Sequence, residues 1–281
     1  LFRSSRICKD DHMPAKSRVV TWALNLNGAY TTFAEQYARA REIGYVALAD
    51  ELLEIADDGR NDKQYDKLID HIGLINVVMI TPDDVELVAG HSDVRRRFID
   101  ICISQTDREY LNNLSEYQKV LDQRNKQLKL FAQHRHFDEI IIESYDAKLV
   151  PAGNYIYKKR VEVLAKLNAY FNEIYPAFSS GIEQVRFNYE SDLHTRNFAD
   201  ILKEEINRDL AAERTTAGLH KDDIQFEIDG FPLKRFGSQG QSKSFIVALK
   251  LAQYRFLAET LGTLPILLLD DMFEKIDEER A

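Results

Sequence analysis

Near its carboxyl end the chain sets out an order of parts that few folds accommodate. Phe236-Gly237-Ser238-Gln239-Gly240-Gln241-Ser242 stands directly before a helix-forming stretch that closes at Leu261-Gly262. Ile266-Leu267-Leu268-Leu269 then runs apolar into two adjacent carboxylates, Asp270 and Asp271. A buried strand can hold the first carboxylate rigidly near a Mg²⁺ ion or its water while the second orients an attacking water. Gly240 relieves crowding, Ser238 offers a hydroxyl, and a helix start presents free N–H groups and a positive dipole end, a set that suits a γ-phosphate. Each part alone has a plainer meaning, a Ser-capped helix after a glycine turn or a core strand with an acidic exit. Their succession is what points to phosphoryl chemistry.

The preceding residues supply the rest of a mixed fold. Ile75 to Ile80 is a short β-branched run stopped by Thr81-Pro82-Asp83-Asp84, which predicts a buried strand and a loop. From Ser92 to Phe131 apolar residues recur at Phe98, Cys102, Tyr110, Leu114, Tyr117, Leu121 and Leu128, mostly at helical steps. A second helical pattern through Tyr157, Val161, Leu164, Leu167, Phe171 and Ile174 closes before Pro176, and the two predict a helical lobe over residues 92–178. Val185, Phe187 and Tyr189 alternate as a strand does, as do Ile224, Phe226 and Ile228, and Asp229-Gly230 is a hairpin turn signal. Helices set between strands predict an α/β head with an inserted helical arm.

The first sixty-odd residues differ in charge. Residues 1–41 carry seven Lys or Arg against three acids, and residues 42–62 carry one against seven. Ser5 to Lys9, then Asp10 to Pro14, then Ala15 to Leu24 reads as helix, turn, helix, with Val19, Trp22 and Ala23 inward and Lys16, Ser17 and Arg18 outward. A further amphipathic segment from Tyr37 ends at Asp57-Asp58-Gly59, which places the boundary between a small helical segment, 1–62, and the remainder, 63–281, at Asp62. Lys16 and Arg18 are the DNA-contact candidates of this segment.

Composition excludes some classes. No apolar run approaches the roughly 20 residues that cross a bilayer. Cys8 and Cys102, far apart, make no disulfide framework and fit a reducing cytoplasm. A net charge of −9 would repel a polyanion as a whole, so any DNA contact belongs to a local basic patch, for which Arg95 and Arg96 of the Arg95-Arg96-Arg97 run are candidates beside the plainer reading of a solvated helix face. His220 with Asp222 and Asp223 lacks a second His at ligand spacing and reads as a turn before a strand rather than a metal cluster. The chain begins Leu1-Phe2-Arg3 without an initiator Met, so a fragment of something longer is expected.

Signature loop, helix, apolar strand, paired acids and then Phe273 to Asp277 is the order of parts in ABC-type ATPase heads, and residues 63–281 resemble the RecF family within them. The resemblance is carried by Ile80 to Asp84, Glu86 to Gly90, Arg95 to Asp100, Tyr117 to Leu121 with Gln123-Arg124-Asn125, Gly218 to Asp223, and Ser238 to Gln241, in that family's order. It implies that Ser238, Gln239, Gly240 and Gln241 contact nucleotide held by the opposite head of a dimer. It further implies that Asp270 serves Mg²⁺, that Asp271 polarises water, and that Asp277 belongs to the dimer-facing D-loop. ATP, DNA, a second RecF-type head, RecO and RecR are the cofactor and partners so implied, in the cytoplasm and away from any membrane.

One departure from that family is severe. No G-x-x-x-x-G-K-[ST] occurs, and none of the twelve glycines is followed by Lys, so the loop and first strands that cradle phosphates are missing from these residues. The expectation is a chain that does not turn over ATP in a site of its own, and whether it is an enzyme stays open. The amino-terminal segment, through Arg6 to Pro14, Gln36 to Glu42 and Ile55 to Gly59, resembles a phage terminase small subunit, a helix-turn-helix DNA-binding protein. The functions expected are therefore a RecF-like repair protein, a DNA-binding packaging module, or an inactive fused or truncated chain.

Overall fold

The computed structural model describes residues 76–134, 136–179 and 183–270, together with the backbone of Val19–Trp22. These divide into two compact units. One holds Val19–Trp22, 76–85, 173–179 and 238–270, and the other holds 86–172 and 183–237.

The first unit is built on a three-stranded sheet. Its middle strand, β6 (Ile266–Asp270), pairs in parallel with β2 (Val77–Ile80), Val77 opposite Ile266 and Ile80 opposite Leu269. On the other edge β6 pairs antiparallel with β1 (Val19–Trp22), Val19 opposite Asp270. This corrects the helix expected over Ala15–Leu24. Val19-Val20-Thr21-Trp22 consists of β-branched and aromatic residues, whose side chains suit a pleated surface and lose rotamer freedom in a helix, and the edge of β6 supplies the missing backbone partners. The remaining positions of 1–62, with the boundary at Asp62, lie outside the described residues.

Helix α8 (Gln239–Leu261) belongs to the same unit. Its residues Phe245 to Leu249 are buried without interruption, as are Ala252, Phe256 and Leu257, so the helix is enclosed on most of its circumference rather than lying amphipathic on a surface. It ends at Gly262, whose φ of +68° is the left-handed C-cap that a side chain resists. After β2, the Thr81 amide donates to the Asp84 carboxylate at 2.8 Å, and Lys250 of α8 pairs with that same carboxylate at 2.7 Å. The Thr-Pro-Asp-Asp string thereby ties the end of β2 to α8.

The second unit begins with α1 (Glu86–Ala89) and α2 (Ser92–Ser104), followed by two long helices, α3 (Arg108–His134) and α4 (Glu139–Ile174). The single helical region expected from Ser92 to Phe131 is broken at 105–107, where the Asp107 carboxylate accepts from the Tyr110 amide at 2.9 Å and starts α3 afresh. Helix α4 also begins well ahead of Tyr157 and carries Pro151 within it. Next come β3 (Val185–Glu190), α5 (Phe198–Glu204), α6 (Ile206–Ala212), β4 (Asp223–Ile228), β5 (Phe231–Pro232) and α7 (Leu233–Phe236). Strands β3, β4 and β5 form an antiparallel sheet, and Asp229 (φ +50°) with Gly230 (φ +81°) makes the two-residue turn expected between β4 and β5. Two glycines close the core. A Cβ on Gly153 would stand 2.5 Å from the Phe198 ring and one on Gly218 2.8 Å from the same ring, so both leave room for that aromatic side chain.

Candidate functional site

Ser238 to Gln241, expected to face a phosphate, form the N-cap and first turn of α8. Ser238 is the N-cap: its Oγ accepts from the Gln241 amide at 3.1 Å, and the Ser238 amide donates to Gln241 Oε1 at 2.7 Å, a reciprocal capping box. This arrangement leaves the Gln239 and Gly240 amides as first-turn donors without an intrahelical acceptor. Ser238 Oγ spends a lone pair on the cap and retains its O–H to donate, so capping and contact with a phosphate oxygen are compatible. Ser238 and Gln239 are exposed, and Gly240 and Gln241 half-buried. The turn thus offers an anion one hydroxyl and two amides at the positive end of a 23-residue helix. Asp270 closes β6 at the end of the apolar strand. Asp271, Asp277, Lys16 and Arg18 lie outside the described residues.

Arg95 to Asp100 and Gly218 to Asp223, which carry part of the resemblance, join Tyr110, Arg160 and Tyr189 in a polar keystone in the second unit. Arg95 is buried. Its guanidinium donates twice to Asp223, at 2.8 and 2.9 Å, and also to the carbonyls of Leu87 and Gly90. Arg95 is therefore an internal tie between α2 and β4 and not the DNA-facing side chain expected of it, because its donors are already engaged inside the fold. Arg96 is half-buried and donates to the Asp222 carbonyl at 2.5 Å. Arg160, on α4, donates to both oxygens of Asp100 at 3.0 Å and to the Leu219 carbonyl at 3.2 Å, with Asp222 3.6 Å away. Tyr189 donates to Asp222, and Tyr110 to Asp100. Burial raises the Asp222 carboxyl to about 6, against the opposing pull of Tyr189 and Arg160.

His220 is equally committed. A carbonyl can only accept, so Nε2 carries the proton that goes to Thr215 O at 3.1 Å, and Nδ1 accepts from the Tyr117 hydroxyl at 3.2 Å. Burial holds its pKa down at about 4, so the ring is neutral at physiological pH. Both ring nitrogens being engaged, His220 is a bracing residue in this site. A cleft of about 100 Å³ opens beside it, lined in part by Arg96, Tyr117, Gln118 and Arg160.

A second ion cluster sits under α6. Arg124 donates to Asp146 at 2.8 Å, to Asp209 at 2.6 Å and to Thr215 Oγ1 at 2.8 Å, and Asp209 also accepts from the amide and hydroxyl of Thr216. Asn125 accepts from the amide and hydroxyl of Thr215. Neither Arg124 nor Arg160 was singled out for a role from the residues, yet each had a signal. Both sit on apolar helical stripes, Arg124 between Val120 and Leu128 and Arg160 between Ile156 and Leu164, where a charge implies a buried partner.

A parallel strand pair beside an enclosed, Ser-capped helix, an acid at the strand's end, and a separate unit of long helices and antiparallel strands together define an incomplete ABC-type ATPase head with an inserted helical arm. Over most of its length the chain is similar to proteins named DNA replication and repair protein RecF. It is 48% identical over 222 residues to RecF of Flavobacterium johnsoniae, covering 79% of this chain and 62% of that protein. It is 46% identical over 223 residues to RecF of Phocaeicola vulgatus, covering 59% of that protein. Two solved structures described as the recombination mediator protein RecF in the RecFOR pathway also match. The one with ATP does so at a TM-score of 0.72 and 29% identity, over 78% of this chain and 61% of that one. The one described as RecF-ATPrS gives 0.71 and 28%, over 77% and 60%. The chain thus spans about three fifths of the length of the curated relatives it matches.

A family model for the terminase small subunit-like protein of bacteriophage Sf6 matches residues 3–102. This match runs past Asp62, and the two similarities together exceed the length of the chain, so they share residues. In the described part of that overlap, β2 pairs with β6 and Arg95 of α2 is tied to Asp223, which is the architecture of the head.

Proposed function

We propose that these residues form part of a RecF-type head for ATP-dependent DNA binding in recombinational gap repair, and that they supply the signature side of a nucleotide site shared with a second RecF-type head. The observation that carries this reading is the capped first turn of α8. Ser238 Oγ, fixed by Gln241, and the open amides of Gln239 and Gly240 form a donor set for a γ-phosphate, on the helix that leads into β6 and Asp270. The residues present fit contact with ATP from across an interface. They do not fit a complete cradle, because no phosphate-binding loop occurs among these 281 residues. Mg²⁺, held through Asp270, would stabilise the charge that develops on the phosphoryl oxygens. Asp271 is assigned to polarising the attacking water, Asp277 to the facing D-loop, and RecO and RecR to the pathway partners.

ATP turnover tests this, measured on the purified chain alone and mixed with a complete RecF-type head. The expected result is silence alone and a change in the partner's turnover that Ser238→Arg removes. Turnover by the chain alone that Asp271→Asn abolishes would sink the shared-site reading. A second reading, a DNA-binding packaging module contacting DNA through Lys16 and Arg18, is favoured by the terminase-like match at residues 3–102. It predicts DNA binding that survives deletion of residues 63–281.

A further inference from the structure

Four cations of the helical-arm unit, Arg96, Arg208, Arg214 and Lys221, lie close enough for the first three to act on Lys221. Lys221 and Arg214 are exposed, and neither side chain has a hydrogen-bond or ion-pair partner among the described residues. Arg208, exposed on α6, has Glu205 at 3.5 Å as its one ion-pair partner among the described residues. Arg96 completes the group and is held in place by its bond to the Asp222 carbonyl, the residue after Lys221. The backbone fixes this gathering: the Arg214 amide donates to Asp209 O, Thr215 O accepts from His220, and the Lys221 amide donates to Gly218 O. Of the nearby acids, Asp209 is engaged by Arg124, Asp223 by Arg95 and Asp222 by Tyr189, while exposed Asp93 acts on Arg96. Lys221 feels the result. Its pKa is lowered by partial burial and then by Arg214, Arg96 and Arg208, with Asp209 pulling the other way.

Like charges held together by a rigid scaffold cost stability unless an anion joins them. We propose that Arg96, Arg208, Arg214 and Lys221 form a docking surface for the phosphate backbone of DNA. This rests on the reading of the chain as part of a DNA-repair head, since that reading makes DNA the partner. Three exposed cations spread around α6 and the Gly218 turn suit successive phosphates along a strand better than one small convergent anion, and cations alone carry no base readout. The surface also resolves the difficulty of an acidic chain, net −9, binding a polyanion: the contact is local.

The test is the affinity of the full chain for a short fluorescent DNA duplex, read against salt, for the parent, Lys221→Glu and Lys166→Glu. Lys166 is an exposed helix-face lysine paired with Glu162, so its reversal makes the same change in net charge outside the surface. Lys221→Glu is expected to weaken binding about tenfold and to lower the salt slope by about one unit, equally for unrelated duplex sequences. Lys166→Glu should change affinity less than threefold. Lys221→Gln should leave the unfolding midpoint unchanged or raised, since it removes repulsion, which separates lost contact from lost fold. Equal effects of the two reversals, or competition by inorganic phosphate as effective as that by duplex, would overturn the surface while leaving the nucleotide reading intact. Loss of Ser238-dependent turnover with Lys221-dependent DNA binding retained would do the reverse.

Discussion

Arg124 carries a full charge with no exposed side-chain surface, and its partner Asp209 is equally buried. Such a pair adds little net stability over an apolar equivalent, but removing one member strands the other in a medium that cannot solvate it. Arg124→Ala is therefore expected to destabilise the chain by about 3–5 kcal/mol in urea unfolding. Lys166→Ala, which breaks an exposed pair, should stay within about 0.5 kcal/mol. Comparable losses would mean that the Arg124 cluster is solvated in solution. His220 and Asp222 give a pH signature. His220 has a folded pKa of about 4, below its unfolded value near 6.5, so the unfolded chain binds more protons between those values and stability rises with pH across them. Asp222, at about 6 when folded against about 3.9 unfolded, has the opposite sign: the folded chain binds more protons, and stability falls as pH rises from about 4 to 6. The two neighbours oppose each other over that window. His220→Gln should lower the slope of stability against pH there and Asp222→Asn should raise it, as followed by urea midpoints; identical slopes in both variants would show that neither shift exists.

At helix α8, substitution can separate the observed cap from the proposed phosphate contact. Ser238→Ala removes the cap and should cost about 1 kcal/mol of stability. Ser238→Asp keeps an acceptor for the Gln241 amide and adds a favourable charge at the helix start, so its stability should match the parent's. It also places a carboxylate where a γ-phosphate would approach, and so should abolish activation of a partner head. If Ser238→Asp activates normally, Ser238 is a cap and nothing more. This element was legible because its signals are local: serine and glutamine three apart, an unbroken apolar run, glycine at the close. Strands β2 and β6 and the Asp229-Gly230 turn were legible for the same reason. The break before α3 was not, because apolar steps of three and four continue across it and only Asp107 as a cap reveals it. The early start of α4 was hidden by Pro151, which reads as a stop but is carried inside the helix. Arg95 was misplaced because a run of three arginines looks solvated, whereas its partner Asp223 stands 128 residues away in sequence. Pairing over such separation has no period to read.

At the scale of the whole molecule, the proposal that the chain supplies one side of a shared nucleotide site is tested by stoichiometry. On that reading a pair of complete heads would make two nucleotide sites and a mixed pair one, with ATP held by the complete head and Ser238 supplied by this chain. Below the concentration at which complete heads pair with each other, most of them lack a signature side, so adding this chain should raise turnover per complete head to a plateau. The plateau should equal the rate of the complete pair if the two sites act independently, and fall below it if both must fire together. Ser238→Asp chain should still pair, through surfaces it leaves intact, and so should depress turnover at concentrations where complete heads already pair, by displacing a productive partner. Light scattering or sedimentation of the same mixtures separates pairing from activation. If the parent chain depresses turnover as its Ser238→Asp form does, the first turn of α8 does not complete the site and the donor set at its start is a cap alone.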